Sequence, residues 1–198
     1  NYDFGKVWRS DGTTNGTQPL TWNNQNVPYI TDYLTVLNSS LVFTGFTISL
    51  GYELWITDGT AGGTLILKDI VHGAVSSYPS YLKKIGNSIL FVAEDDSGIG
   101  HELWITDGTT EGTRLVKDIN PGNQTSLCLG SKFGEPFDYL LNPRFTAIDN
   151  LAFFNADDGV TRCELWSTDG TPEGTVRHGD IDPNNDDPQG GGYPSQIT

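Results

Sequence analysis

HELWITDGTTEGTRLVKDI, residues 101–119, is written almost identically 49 residues earlier as YELWITDGTAGGTLILKDI, residues 52–70. The core of this stretch, W-x-x-DGT-x-x-GT, occurs four times, starting at Trp8, Trp55, Trp104 and Trp166, at spacings of 47, 49 and 62 residues. Repetition at this period marks a chain built from one supersecondary unit used several times. Glu-Leu precedes the last three copies, as Glu53, Glu102 and Glu164, whereas the first copy has Lys6-Val7 there.

Upstream of each of these three copies lies a second pattern: an aliphatic residue, a short polar turn and an apolar run. The three instances are VLNSSLVF (36–43), KIGNSILFVA (84–93) and AIDNLAFFNA (147–156). The unit therefore reads as four strands: the segment before the turn, the LFVA-type run, the ELWIT-type run and the RLVKDI-type run. Such a meander is too small to be stable alone, so neighbouring units must stack and share a core. The organisation expected is a single repeat domain over 1–198, with a partial unit 1–18, units 29–70, 78–119 and 139–181, and the start of a further unit at 193–198. Residues 120–138 form an inserted loop and 182–192 an acidic, Gly-rich linker.

Composition agrees with an all-β chain. Gly, Thr, Asn, Asp and Pro are abundant, aromatic and β-branched residues come in short runs, and no segment of ten or more residues has a 3.6-residue apolar period. The net charge of −14, with 11 Lys plus Arg, disfavours nucleic acid and anionic membranes and favours cations. No apolar run approaches the roughly 20 residues of a membrane helix. Three scattered histidines and two cysteines without a CxxC give no zinc pattern. Cys128 and Cys163 read as a disulfide, which implies an oxidising compartment, with two buried thiols as the alternative. The alignment of the units leads to the disulfide, since Cys163 takes the position of Tyr52 and His101 at the start of a third strand and Cys128 lies in the insertion just before the first strand of the same unit.

In these motifs the sequence resembles the ELWxxDGT repeat family of large secreted and surface proteins, over roughly Val7 to Ile181. The resemblance implies blade-like, β-propeller-type units and an extracellular or cell-surface setting, and it names no reaction. The chain departs from whole units at its ends. It starts in the second half of a unit, and YPSQIT (193–198) restates YPSYLK (78–83).

Several residues are candidates for chemistry. Asp11, Asp58, Asp107 and Asp169 recur in the DGT turn, where a carboxylate ring for calcium is weighed against side chains that satisfy turn amides. The turn reading is preferred, because calcium needs six to eight oxygens within roughly 2.5 Å, and one carboxylate per unit does not converge. Glu53, Glu102 and Glu164 could suggest glycoside hydrolysis, but that reaction needs two carboxylates in unlike environments, and repetition supplies like ones. They read better as cross-strand partners or as acceptors from the adjacent unit. Trp8, Trp55, Trp104 and Trp166 read as core rings between sheets, leaving Trp22 and Tyr29 as the candidates for exposed aromatic contact. Asp180, Asp182, Asn184 and Asp186 echo the start of a calcium loop, which then fails at Asn185 and Gly191. The acidic loop around Asp95 and Asp96 carries no such pattern. Sequons stand at Asn15, Asn38 and Asn123, each in an expected turn or loop, with Asn123 favoured.

No nucleophile elbow, phosphate loop or dinucleotide fingerprint is present. The expected function is therefore a non-enzymatic, structural, self-assembling extracellular protein, a filament or surface-layer subunit, whose partners are head-to-tail copies of itself and whose loops accept glycans. A carbohydrate-binding or glycoside-processing propeller is the alternative. No cofactor is expected; at the 180–186 loop a solvated linker is preferred over a calcium site.

Overall fold

In the computed structural model, which describes residues 7–22, 25–26, 33–128 and 145–179, every regular element is a β-strand. Three four-stranded antiparallel sheets follow one another, each a simple meander. The first contains β5 (Thr35–Leu37), β6 (Ser40–Thr47), β7 (Gly51–Thr57) and β8 (Leu65–Lys68). The second contains β9 (Ser80–Ile85), β10 (Ser88–Ala93), β11 (Glu102–Thr106) and β12 (Arg114–Lys117). The third contains β13 (Thr146–Ile148), β14 (Leu151–Asp157), β15 (Cys163–Thr168) and β16 (Val176–Arg177). Ahead of them, β1 (Trp8–Arg9) pairs with β2 (Gln18–Pro19), the last two strands of a unit. A short hairpin, β3 (Thr21–Trp22) with β4 (Gln25–Asn26), follows that pair and has no counterpart in the repeat.

The apolar runs form strands without polar alternation because both faces of a middle sheet are covered. Along β10, Ile89, Phe91 and Ala93 face the first sheet, while Leu90 and Val92 face the third. On β11, Trp104 faces back to the first sheet, and Leu103 and Ile105 face forward. The same alternation on β7 sends Leu54 forward and Trp55 back onto Val7 and Leu20 of the leading strand pair. Each core is therefore shared by two units, as the stacking argument requires. The first strands adjoin one another across sheets, β5 beside β9 and β9 beside β13.

The turn between first and second strands explains its own residues. Asn38, Gly86 and Asp149 occupy one position of the repeat and have φ of 55°, 50° and 54°, in the left-handed region that Gly, Asn and Asp tolerate best. Between units, one serine threads the gap. Ser77 N donates to Tyr52 O of the first sheet at 3.0 Å, and Glu94 N of the second donates to Ser77 O at 2.9 Å. Ser126 repeats this with His101 O at 3.2 Å and Asp157 N at 2.7 Å.

Cys128 and Cys163 form a disulfide with a Cα–Cα separation of 5.7 Å across 35 residues. Together with the Leu127–Ala156 bridge, it fixes residues 126–128 along the end of β14 and β15. Among the described residues no helix is long and apolar enough to cross a membrane.

Candidate functional site

The four DGT turns carry one hydrogen-bond network. In the third copy, Asp107 Oδ1 accepts Thr109 N at 2.9 Å and Thr109 Oγ1 at 2.7 Å; Thr109 Oγ1 in turn accepts Gly112 N at 3.0 Å. Thr113 Oγ1 donates to Thr109 O at 2.7 Å and lies 2.7 Å from Thr106 Oγ1, which accepts Gly108 N at 3.0 Å. The same bonds join the equivalent atoms around Asp11, Asp58 and Asp169. These bonds account for each fixed letter of [ST]-D-G-T-x-x-G-T. The second glycine is required by space: a Cβ on Gly16, Gly63, Gly112 or Gly174 would lie 1.9, 2.0, 2.1 or 2.1 Å from the aspartate Oδ1. The threonine hydroxyl, then its amide, hold all four aspartates below the usual carboxylate range.

Glu53 and Glu102 are fully buried at the threaded serine. Glu53 accepts Ile70 N at 2.9 Å, Val71 N at 3.4 Å, Ser77 N at 3.1 Å and Ser77 Oγ at 2.7 Å. Glu102 accepts Ile119 N at 3.2 Å and Ser126 Oγ at 2.5 Å. Burial pushes both glutamates up to about 7, against the pull of the serine hydroxyl and the backbone donors. Glu164 holds the same position and is also buried. Glu53 and Glu102 clamp the chain where it leaves one unit for the next. The serines were not singled out from sequence, although a signal was there: each stands 24 residues after its glutamate.

Trp55, Trp104 and Trp166 are core residues at 0%, 6% and 6% exposure, but Trp8 is 58% exposed. The expectation for Trp8 is corrected accordingly. Its strand pair covers the face in front of it, Phe43 and Trp55, while no sheet among the described residues lies behind it. Beside it runs a groove of about 340 Å³, lined by Val7, Trp8, Leu20, Val36, Leu41 and Thr57 among others.

One position varies among the three four-stranded sheets where the turn and the clamp glutamate do not. At the open end of the second and third strands, Phe46 packs on Tyr52 with ring centroids 4.8 Å apart, which Tyr78 stacks upon at 5.8 Å. In the second sheet the equivalent pair is Glu94 and His101, 2.9 Å apart. In the third, Asp157 pairs with Cys163, the disulfide partner. The acidic loop beside it is engaged locally: Asp95 Oδ1 accepts Ser97 N at 2.8 Å, and Asp96 lies 2.6 Å from His72 Nδ1.

Asn15, Asn38 and Asn123 are exposed, Asn15 in the first DGT turn, Asn38 in the β5–β6 turn and Asn123 in the insertion. The sequon threonine of Asn15, Thr17, is itself part of the turn network, donating to Thr13 O at 2.7 Å. Among the described residues, no three His, Cys, Asp or Glu side chains gather as a metal site would require. Asp180, Asp182, Asn184, Asp186, Tyr29, the tail 193–198 and the side chain of Trp22 lie outside the described residues. Compared with known proteins, the chain matches no family model and no curated protein.

Proposed function

We propose that the chain is a structural, self-assembling extracellular protein, a filament or surface-layer subunit built from propeller-like blades, and not an enzyme. The observation that carries this reading is the use made of the repeated polar residues. Each DGT aspartate is bound into its own turn, and Glu53 and Glu102 are bound into the crossing between units, so the residues that chemistry would need are engaged in architecture. The disulfide supports an oxidising, extracellular setting. Adjoining first strands support a blade arrangement in which those strands lie innermost. The resemblance to ELWxxDGT repeats supports the same architecture and remains a resemblance. Copies of the chain associate head to tail, and exposed Asn15, Asn38 and Asn123 leave glycans on the outer surface. Negative-stain microscopy and light scattering of the full chain test the proposal. Filaments or concentration-dependent oligomers are expected, and compact monomers at every concentration would refute it.

A further inference from the structure

Asn15-Gly16 and the five Asp-Gly pairs that start at Asp11, Asp58, Asp107, Asp158 and Asp169 each place a side-chain acyl carbon next to a glycine amide. Glycine, having no Cβ, leaves its nitrogen unhindered to attack that carbon, so these are the bonds at which a chain alters without any enzyme. The five aspartates are guarded. In the DGT turns each carboxylate is bonded to a threonine amide and hydroxyl. The nitrogen that would attack is tied to a hydroxyl: Gly12 N to Ser10 Oγ at 3.1 Å, Gly59 N to Thr57 Oγ1 at 3.0 Å, Gly108 N to Thr106 Oγ1 at 3.0 Å and Gly170 N to Thr168 Oγ1 at 2.9 Å. The threonine bonds also keep these four carboxyls ionised, and a carboxylate resists a nucleophile. Asp158 Oδ1 accepts Val160 N at 3.0 Å and Thr161 N at 2.9 Å, while Gly159 N donates to Asp157 Oδ1 at 2.7 Å.

Asn15 has neither guard. Its main-chain carbonyl accepts Gln18 Nε2 at 2.8 Å, while its side-chain amide makes no hydrogen bond among the described residues and carries no charge. It is exposed, as Gly62, Glu111 and Glu173 are at the same position of the other three turns, so the exposure belongs to the turn itself. The glycine beside it is imposed by the fold, since a Cβ on Gly16 would lie 1.9 Å from Asp11 Oδ1. One contact restrains the attacking nitrogen: Gly16 N donates to Thr13 Oγ1 at 2.9 Å, inside the loop that Thr17 N closes on Thr13 O at 3.0 Å. Local opening of this exposed turn releases it.

We propose that Asn15 is a site of spontaneous deamidation, through which the first DGT turn acquires the carboxylate that the third and fourth turns carry as Glu111 and Glu173. Gly16 N attacks Asn15 Cγ, the bond from Cγ to the side-chain nitrogen breaks, and that nitrogen leaves as ammonia with the proton of the Gly16 amide. Water then opens the resulting succinimide at either carbonyl, giving aspartate or isoaspartate. The aspartate form keeps the turn, because a side-chain carboxylate already stands at this position in two other copies. The isoaspartate form lengthens the main chain between Thr13 and Thr17 by a methylene and breaks the bonds that close the loop. The modification does not depend on whether the chain assembles.

The test incubates the full-length folded chain at mildly alkaline pH and maps its peptides by mass spectrometry, with isoaspartate detected by a carboxyl methyltransferase specific for it. Asn15 is expected to lose its amide before any other asparagine, while the five Asp-Gly pairs stay free of isoaspartate. Full-length Thr13→Ala, which frees Gly16 N, is expected to lose the Asn15 amide several times faster than the wild type. Thr60→Ala makes the same change in the second turn and should leave the Asn15 rate as it is. The proposal is overturned if another asparagine reacts first, if Asn15 keeps its amide in the folded chain while a denatured sample loses it, or if the two variants change the Asn15 rate alike.

Discussion

Replacing Glu53 by alanine tests whether the buried carboxylate is a clamp between units. The side chain accepts four hydrogen bonds, but its partners do not lose equally. Ser77 N keeps Tyr52 O at 3.0 Å and Ser77 Oγ keeps the same oxygen at 3.3 Å. Ile70 N and Val71 N, both in buried residues, have no other acceptor among the described contacts. Two orphaned amides at about 1–3 kcal/mol each set the loss. Relief from desolvating the carboxyl group, neutral in mild acid, offsets part of it, leaving about 2–4 kcal/mol. For a chain of this size that lowers the melting temperature by about 5–15 °C. Glu53→Gln keeps an acceptor for Ile70 N and loses less, about 1 kcal/mol. Urea unfolding at mildly acidic pH measures the totals, and hydrogen exchange places the damage at the amides of residues 70 and 71. An alanine variant within about 0.5 kcal/mol of wild type, or unchanged protection at those two amides, would falsify the clamp.

Three further outcomes follow from the same geometry. Glu53 and Glu102 have folded-state values near 7, raised from 4.5, so their contribution is full below the unfolded value and is lost as pH rises through about 7. The DGT aspartates are lowered from 3.8 and contribute above that value, losing it as pH falls through their folded values; the melting temperature should therefore peak in mild acid, and a monotonic rise to pH 8 in differential scanning calorimetry contradicts this. Gly112→Ala, whose Cβ would meet Asp107 Oδ1 at 2.1 Å, should cost about 1–3 kcal/mol. Gly62→Ala, in the open part of an equivalent turn, should be neutral in chemical denaturation, and equal effects would undo the packing argument. Reducing Cys128–Cys163, which spans 35 residues, should cost about 3–4 kcal/mol, while the unreduced, unfolded protein should titrate no thiol.

The unit was legible because its rules are local. Turn residues at fixed offsets and paired apolar runs define four strands, and the sheets follow that order. The disulfide was legible from the alignment of the units, which puts Cys163 at the start of a third strand and Cys128 just before the first strand of the same unit, and the two are bonded. Trp8 misled because its motif matches the other three copies, while burial depends on what stands behind the ring. The β3–β4 hairpin, at Thr21–Asn26, stayed hidden because a repeat reveals only what recurs. Ser77 and Ser126 were overlooked because their partners lie across a unit boundary, where pattern within a unit says nothing.

The contrast between fixed and variable positions bears on what such a chain can be selected for. The turn tolerates few changes, since each hydroxyl and glycine is bound or crowded. The clamp is similarly fixed, because alanine strands buried amides. The pair at the open end of the second and third strands is under neither restraint: it is Phe46 with Tyr52, then Glu94 with His101, then Asp157 with Cys163, on one backbone geometry. Each pair supports its strands by different chemistry, and none is required by the turn or by the core. A repeat with a rigid turn, a rigid crossing and a free rim can therefore be copied without loss of fold while the rim diversifies. The rim is displayed once per unit, so its chemistry differs from one unit to the next while the turn and the crossing stay constant.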